Sequence, residues 1–229
     1  MKAKQIDLMI IGAQKAGTTS LKNYLGSHPE VCTHMGGEFE YFVNDRIYDD
    51  GLENTWRYTF PNSSSAKVVI AKSVGAMLRL YEHNPDVKLV MVLRHPVDRA
   101  YSAYWYARRK GMEDIESFEK ALDVGIDRFE GDWLKERCCD YLNRGRYIDH
   151  LLTLYSIFPK ENITVVKSED LKKNTSGVCE DLFKSLELDA KSYQLENLKR
   201  KHNASAMPRY AAIPQLLSGL SVPSFIRHA

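Results

Sequence analysis

Four short runs in this chain, at residues 8–11, 68–70, 88–93 and 163–166, are almost wholly apolar on successive positions rather than on alternate ones. A strand with one wet face alternates; a run without alternation has to be covered on both faces, as in the parallel sheet of an α/β layer structure. The segments between the runs carry helical spacing instead. Leu21, Tyr24 and Leu25, and later Ile148, Leu151, Leu152, Tyr155 and Phe158, recur in steps of three and four that put each set on one helix face. Strands alternating with helices predict a doubly wound, three-layer fold: a central parallel sheet flanked by helices, with ligands outside the carboxyl ends of the strands. A length of 229 residues suits a single domain over 1–229, and 44% hydrophobic with 27% charged residues is the composition of a chain that folds.

The first apolar run leads straight into Gly12-Ala13-Gln14-Lys15-Ala16-Gly17-Thr18-Thr19-Ser20-Leu21. The glycine spacing is that of the nucleoside-triphosphate loop G-x-x-x-x-G-K-[ST], so the fold expected is P-loop-like, but Thr18 stands at the lysine position and Lys15 lies inside the loop. Gly12 and Gly17 allow backbone N–H groups to close around an anion, and the helix starting near Thr18 adds the positive end of its dipole. A kinase or ATPase also needs magnesium, held by the loop hydroxyl and a carboxylate at a neighbouring strand end. Thr19 could supply the hydroxyl, yet the run at 88–93 ends in Arg94-His95-Pro96 with no acid. The combination points to an anion transferred without a metal.

In these residues the chain resembles the sulfotransferases that use 3′-phosphoadenosine 5′-phosphosulfate, the heparan-sulfate-type and related bacterial enzymes, whose loop reads K-x-G-T-T-x-L. The resemblance implies that Lys15 neutralises the bridging and sulfuryl oxygens, while the loop residues Ala16 and Gly17 and the hydroxyls of Thr18, Thr19 and Ser20 hold the phosphate. A second element, "LRHPVDRAYSAYWY", is similar to the family's 3′-phosphate signature and assigns Arg94 and Ser102 to that group. Between the first two runs, Glu38-Phe39-Glu40-Tyr41-Phe42 is similar to the pattern E-x-x-F-F, which implies Glu38 as the catalytic base, with Glu40 the competitor because alternate positions point opposite ways in extended chain. Lys72 and Ser73 match a further pattern in which Ala71 and Val74 replace a glutamate and a proline, and Lys72 is implied to balance charge near the transferring group. Gly145, Tyr147 and Leu151 match a helix of mainly structural role. Lys201, Asn203 and Arg209 fall where the family closes a basic loop over the nucleotide. The resemblance runs from about residue 6 to 189, and the tail ends sooner than in many members.

The implied reaction is sulfuryl transfer from that nucleotide to an acceptor hydroxyl, with a sugar favoured and no metal required. A formal net charge of +2 is too close to neutral for a protein that coats nucleic acid, so anions have to be met by local clusters. Arg108-Arg109-Lys110 and Lys199-Arg200-Lys201-His202 are such clusters, though each reads first as solvated surface. Cys32, Cys138, Cys139 and Cys179 show no metal or redox spacing, and the seven histidines, His95 included, show no ligand spacing either. Reduced thiols, together with an amino-terminal apolar run too short for a signal or a span, predict a cytoplasmic protein, an inference that lapses for a chain excised from a luminal one. Two other classes stay open at this point: a small-molecule kinase with a divergent loop, and a silent nucleotide- or glycan-binding domain.

Overall fold

The computed structural model describes residues 5–192 apart from positions 74 and 76, and these fall into two compact units, one reaching to Arg94 and resuming at Tyr147, the other spanning the residues between. In chain order the elements are β1 (Leu8–Gly12), α1 (Thr18–Leu25), β2 (Val31–Thr33), α2 (Asp45–Asp49), α3 (Leu52–Thr59), β3 (Val68–Lys72), α4 (Met77–His83) and β4 (Lys88–Leu93). The second unit holds α5 (Pro96–Arg109), α6 (Phe118–Val124) and α7 (Trp133–Cys139), and the first resumes with α8 (Tyr147–Ile157), β5 (Ile163–Lys167), α9 (Ser168–Lys173) and α10 (Thr175–Ser185).

The first unit is built on one parallel sheet in the order β2-β3-β1-β4-β5, flanked by helices as the apolar runs require. Alternate strand residues go to opposite layers. Met9, Ile11, Val69, Ala71, Leu89 and Met91 join an aromatic cluster of Phe39, Phe42, Trp56 and Phe60 on one side, while Leu8, Ile10, Ile70, Val90, Val92 and Val166 pack with Leu21, Leu25, Leu182 and Phe183 on the other. With both layers covered, β1 and β3 are buried at every position and do not alternate. The chain steps from β1 to neighbours on both sides, β3 and then β4, which opens a crevice at the carboxyl end of β1.

Three details depart from the sequence reading. A fifth strand, β2, pairs with β3 through Val31, Cys32 and Thr33; three residues are too few for a periodicity signal. The edge strand β5 leaves Thr164, Val165 and Lys167 exposed, because only its β4 side is paired. On α8 the expected face divides: Tyr147, Leu151, Leu154 and Phe158 turn to the core, whereas Ile148 and Leu152 are exposed. Positions 147, 151, 154 and 158 form a stripe of their own, one residue removed from the stripe 148, 152 and 155. The Tyr147 hydroxyl fixes the choice by donating to the Arg94 carbonyl at 2.9 Å.

The second unit packs α5 and α7 around Ala100, Ala103, Tyr104, Ala107, Cys138, Cys139 and Tyr141. Buried polar groups tie its loops together. Arg99, with no exposed surface, donates to the Tyr141 carbonyl, and the Tyr104 hydroxyl donates to the carbonyls of Ile115, at 2.9 Å, and Glu116. Among the described residues no helix is long and apolar enough to cross a membrane.

Candidate active site

The loop after β1 is held by the strand beside it: the Ala13 N–H donates to the Val92 carbonyl at 2.7 Å and the Ala16 N–H to the Ala13 carbonyl at 3.1 Å. Lys15, at φ 67°, and Gly17, at φ 107°, both take left-handed backbone, a conformation found where backbone N–H groups gather around an anion. Glycine carries no penalty for this at position 17. Helix α1 then begins with no acidic residue in its first turn and no side chain capping it, so the first-turn N–H groups and the partly buried Thr18, Thr19 and Ser20 present positive and hydrogen-bonding character together. Arg94, just past β4, donates from Nη1 to the Lys15 carbonyl at 3.2 Å, which brings the two predicted cationic positions to one place.

Lys72 lies opposite Ile10 in the sheet, and the next N–H, that of Ser73, donates to the Ile10 carbonyl at 3.1 Å, so the end of β3 stands beside the start of the loop. The base segment arrives from the edge. Beyond β2 the His34 N–H reaches the Ile70 carbonyl at 3.4 Å, and the Phe39 N–H donates to the Lys72 carbonyl at 2.8 Å. With Phe39 buried against Phe60 and Phe42, Glu38 is turned toward Lys72 and pairs with it, Oε1 to Nζ, at 2.5 Å. Glu40 is exposed and brings only its backbone carbonyl, which accepts from Val43 and Asn44. Tyr41 and Phe42, the aromatic end of that stretch, are buried.

Two residues here escaped the sequence reading. Lys22 is buried on α1 and donates from Nζ to the carbonyls of His34 at 3.0 Å and Gly36 at 2.8 Å. Burial first and the charge of Lys72 next, opposed by Glu38, lower its pKa to about 8. The available signal was its place between Leu21 and Leu25 on the apolar stripe of α1, in a helix with no other charged residue. His34 is the second: burial first and the Lys22 charge next pull its pKa down to about 3, so the ring is neutral, with Nδ1 donating to the Met35 carbonyl at 3.0 Å.

Unfolded, a histidine takes up its proton near 6.5, while folded His34 refuses it until about 3, so stability is lost as pH falls through that window. His34→Gln should therefore show a smaller drop in urea midpoint than the parent protein between about pH 7 and about pH 5, where a histidine at its reference value would charge; equal drops would mean His34 is protonated in the fold.

One pattern joins these parts. Among the described residues of this unit, the buried side-chain atoms without a hydrogen-bond partner are Gln14 Oε1, His34 Nε2, Glu38 Oε2, Ser73 Oγ and Arg94 Nε. Every one lies just beyond the carboxyl end of β1, β2, β3 or β4. Orphaned buried polar atoms are rare in folded proteins, and their confinement to one end of one sheet marks where a polar ligand would complete the structure.

Ser102 sits partly buried on α5 of the second unit, and Lys201, Asn203 and Arg209 lie outside the described residues. Among the described residues no cluster of His, Cys, Asp or Glu is arranged to hold a metal ion.

A family model described as "Sulfotransferase domain" matches residues 5–210. The bifunctional heparan sulfate N-deacetylase/N-sulfotransferase 1 of Caenorhabditis briggsae is 32% identical over 202 residues, 80% of this chain and 22% of that protein. The heparan sulfate glucosamine 3-O-sulfotransferase 6 of Mus musculus is 30% identical over 176 residues, 74% of this chain and 48% of that protein. The chain thus spans between about a fifth and a half of the length of these curated relatives. Among solved structures, a sulfotransferase from Alicyclobacillus acidocaldarius superposes with a TM-score of 0.73 at 22% identity, covering 88% of each chain, which shows a shared fold.

Proposed function

Since this chain belongs to the sulfotransferase family, we propose that it transfers the sulfuryl group of 3′-phosphoadenosine 5′-phosphosulfate to a hydroxyl on a carbohydrate acceptor. Both units together make the enzyme domain in this reading, because the family match at 5–210 runs through each of them. The observation that carries it is the confinement of the orphaned polar atoms to the carboxyl ends of the strands, where the Lys72–Glu38 pair also lies.

The residues fit such a nucleotide. The left-handed positions at Lys15 and Gly17 and the acid-free first turn of α1 favour a bound phosphate. Ala16, Gly17, Thr18, Thr19 and Ser20 would hold the 5′-phosphate through backbone N–H groups and hydroxyls, and Lys15 the bridging and sulfuryl oxygens. Arg94 would offer its planar fork to the 3′-phosphate, and the family resemblance assigns Ser102, Lys201 and Asn203 to the same nucleotide. The bound nucleotide supplies an activated sulfuryl group; the chain supplies position and charge.

Glu38 is suited to take the acceptor proton. Its Oε1 is held by Lys72, which fixes the carboxylate, while Oε2 has no hydrogen-bond partner among the described residues. Lys72 and Lys15, set at neighbouring strand ends, stabilise charge on the transferring group and on the leaving phosphate through electrostatics fixed beforehand. A sugar acceptor is supported by the two heparan sulfate relatives. A reducing compartment such as the cytoplasm suits the four cysteines, all buried thiols.

Calorimetric titration separates this reading from a kinase. The protein should bind 3′,5′-adenosine bisphosphate in the presence of a chelator and give no heat with ATP and magnesium. Binding of ATP with magnesium alone would overturn the assignment.

A further inference from the structure

We propose that Lys22 is a positioning residue for the reaction: it clamps the 34–38 segment from the helix that carries the anion loop, and so sets Glu38 against Lys72. The inference rests on the assignment of Glu38 as base.

The clamp is made of two bonds from one ammonium. Lys22 Nζ donates to the His34 carbonyl at 3.0 Å and to the Gly36 carbonyl at 2.8 Å, either side of Met35, which is 63% exposed. Glu38 follows two residues after the second anchor. Gly36, at φ 84°, and Gly37 meet nothing within 4 Å where a β-carbon would stand, so neither side chains nor packing stiffen this stretch. Its fixed points are the Lys22 bonds, the His34 N–H bond to the Ile70 carbonyl at 3.4 Å, the Met35 N–H bond to the Thr59 carbonyl at 2.9 Å, the Phe39 N–H bond to the Lys72 carbonyl and the Glu38–Lys72 pair. Burying a lysine is costly unless its charge is met by acceptors, and here the acceptors are backbone oxygens of the segment that delivers the carboxylate. The charged and titratable groups facing Lys22 are Lys72 from β3, and Glu38 and the neutral His34 from the segment itself.

The same helix begins with the residues assigned to the nucleotide, Thr18, Thr19 and Ser20. Lys22 therefore links the donor side of the site to the base, one helical turn from Thr18 to the clamp. A misplacement of about 1 Å can cost about 10²-fold in rate, and between the Met35 and Phe39 N–H bonds the Lys22 bond to the Gly36 carbonyl is the hold on the backbone.

The test is a double-mutant cycle on the full chain. Lys22→Met keeps the length and removes both bonds. It should lower kcat by about 10²-fold while affinity for 3′,5′-adenosine bisphosphate stays at the parent value, and Lys22→Met combined with Glu38→Gln should be no slower than Glu38→Gln alone, because a positioning residue has nothing to lose once its target is gone. Parent-level turnover in Lys22→Met, losses that multiply in the double variant, or parallel loss of turnover and nucleotide affinity would each overturn the proposal. Should Lys22→Met fail to fold, Lys22→Gln, which retains one donor group without the charge, carries the same cycle. A Glu38→Gln variant as active as the parent would instead remove the base assignment itself, a result independent of what Lys22→Met does.

Discussion

Glu38→Gln should reduce turnover by about 10²–10⁴-fold, the usual contribution of a positioned general base, with affinity for 3′,5′-adenosine bisphosphate essentially unchanged. The amide matches the carboxylate in shape and its oxygen can still accept from Lys72, so the segment keeps its place; what it lacks is the ability to receive the acceptor proton. Glu40→Gln is the matched control, because Glu40 is exposed and holds only a turn through its backbone. Steady-state rates with a desulfated heparan-type acceptor, set beside calorimetry, decide the matter. Equal loss of turnover and affinity would make Glu38 part of the nucleotide site, and normal turnover would remove its assigned role.

The largest stability effect is expected in the second unit. The Glu113 side chain has no exposed surface; its Oε2 accepts from Arg128 Nη2 and from the Tyr141 hydroxyl at 2.9 Å, and its Oε1 from the Ile115 N–H at 3.1 Å. Burial raises the Tyr141 pKa, and its bond to Cys139 and the Glu113 charge raise it further, so the phenol remains a donor at any ordinary pH. Glu113→Ala strands all three donors at once, one of them a guanidinium whose side chain is 15% exposed. The expected cost is about 3–5 kcal/mol, the range found when one partner of a buried charge pair is removed, read as a lower urea midpoint at unchanged slope. A cost below about 1 kcal/mol, a surface-pair value, would mean that water reaches the network and takes the glutamate's place.

How much of this was legible in the chain depends on how local each signal is. The apolar run at 8–11, the two glycines and Leu21, Tyr24 and Leu25 define strand, loop and helix within eighteen residues, because strand burial, backbone freedom and helical spacing each leave a mark in sequence. The meeting of Arg94 with the loop was legible only as an order of motifs, and the contact that realises it is to the Lys15 carbonyl rather than to a side chain. Which of Glu38 and Glu40 meets Lys72 was not local at all. It is set at Phe39, whose N–H donates to the carbonyl of Lys72, a residue more than thirty positions away. Lys22 was hidden for a different reason: a lysine on a helix ordinarily reads as solvated, and its acceptors are backbone oxygens, which every sequence possesses.

The edge strand β2 has only three residues, while β1 lies at the centre of the sheet with partners on both sides. The loops and helices beyond so slight a margin, outside the stretch that carries Glu38, can be rewritten by substitution or insertion while the middle of the sheet stays as it was. If the nucleotide belongs to the middle and the acceptor to the margin, the architecture lets relatives keep a common donor and diverge in what they decorate.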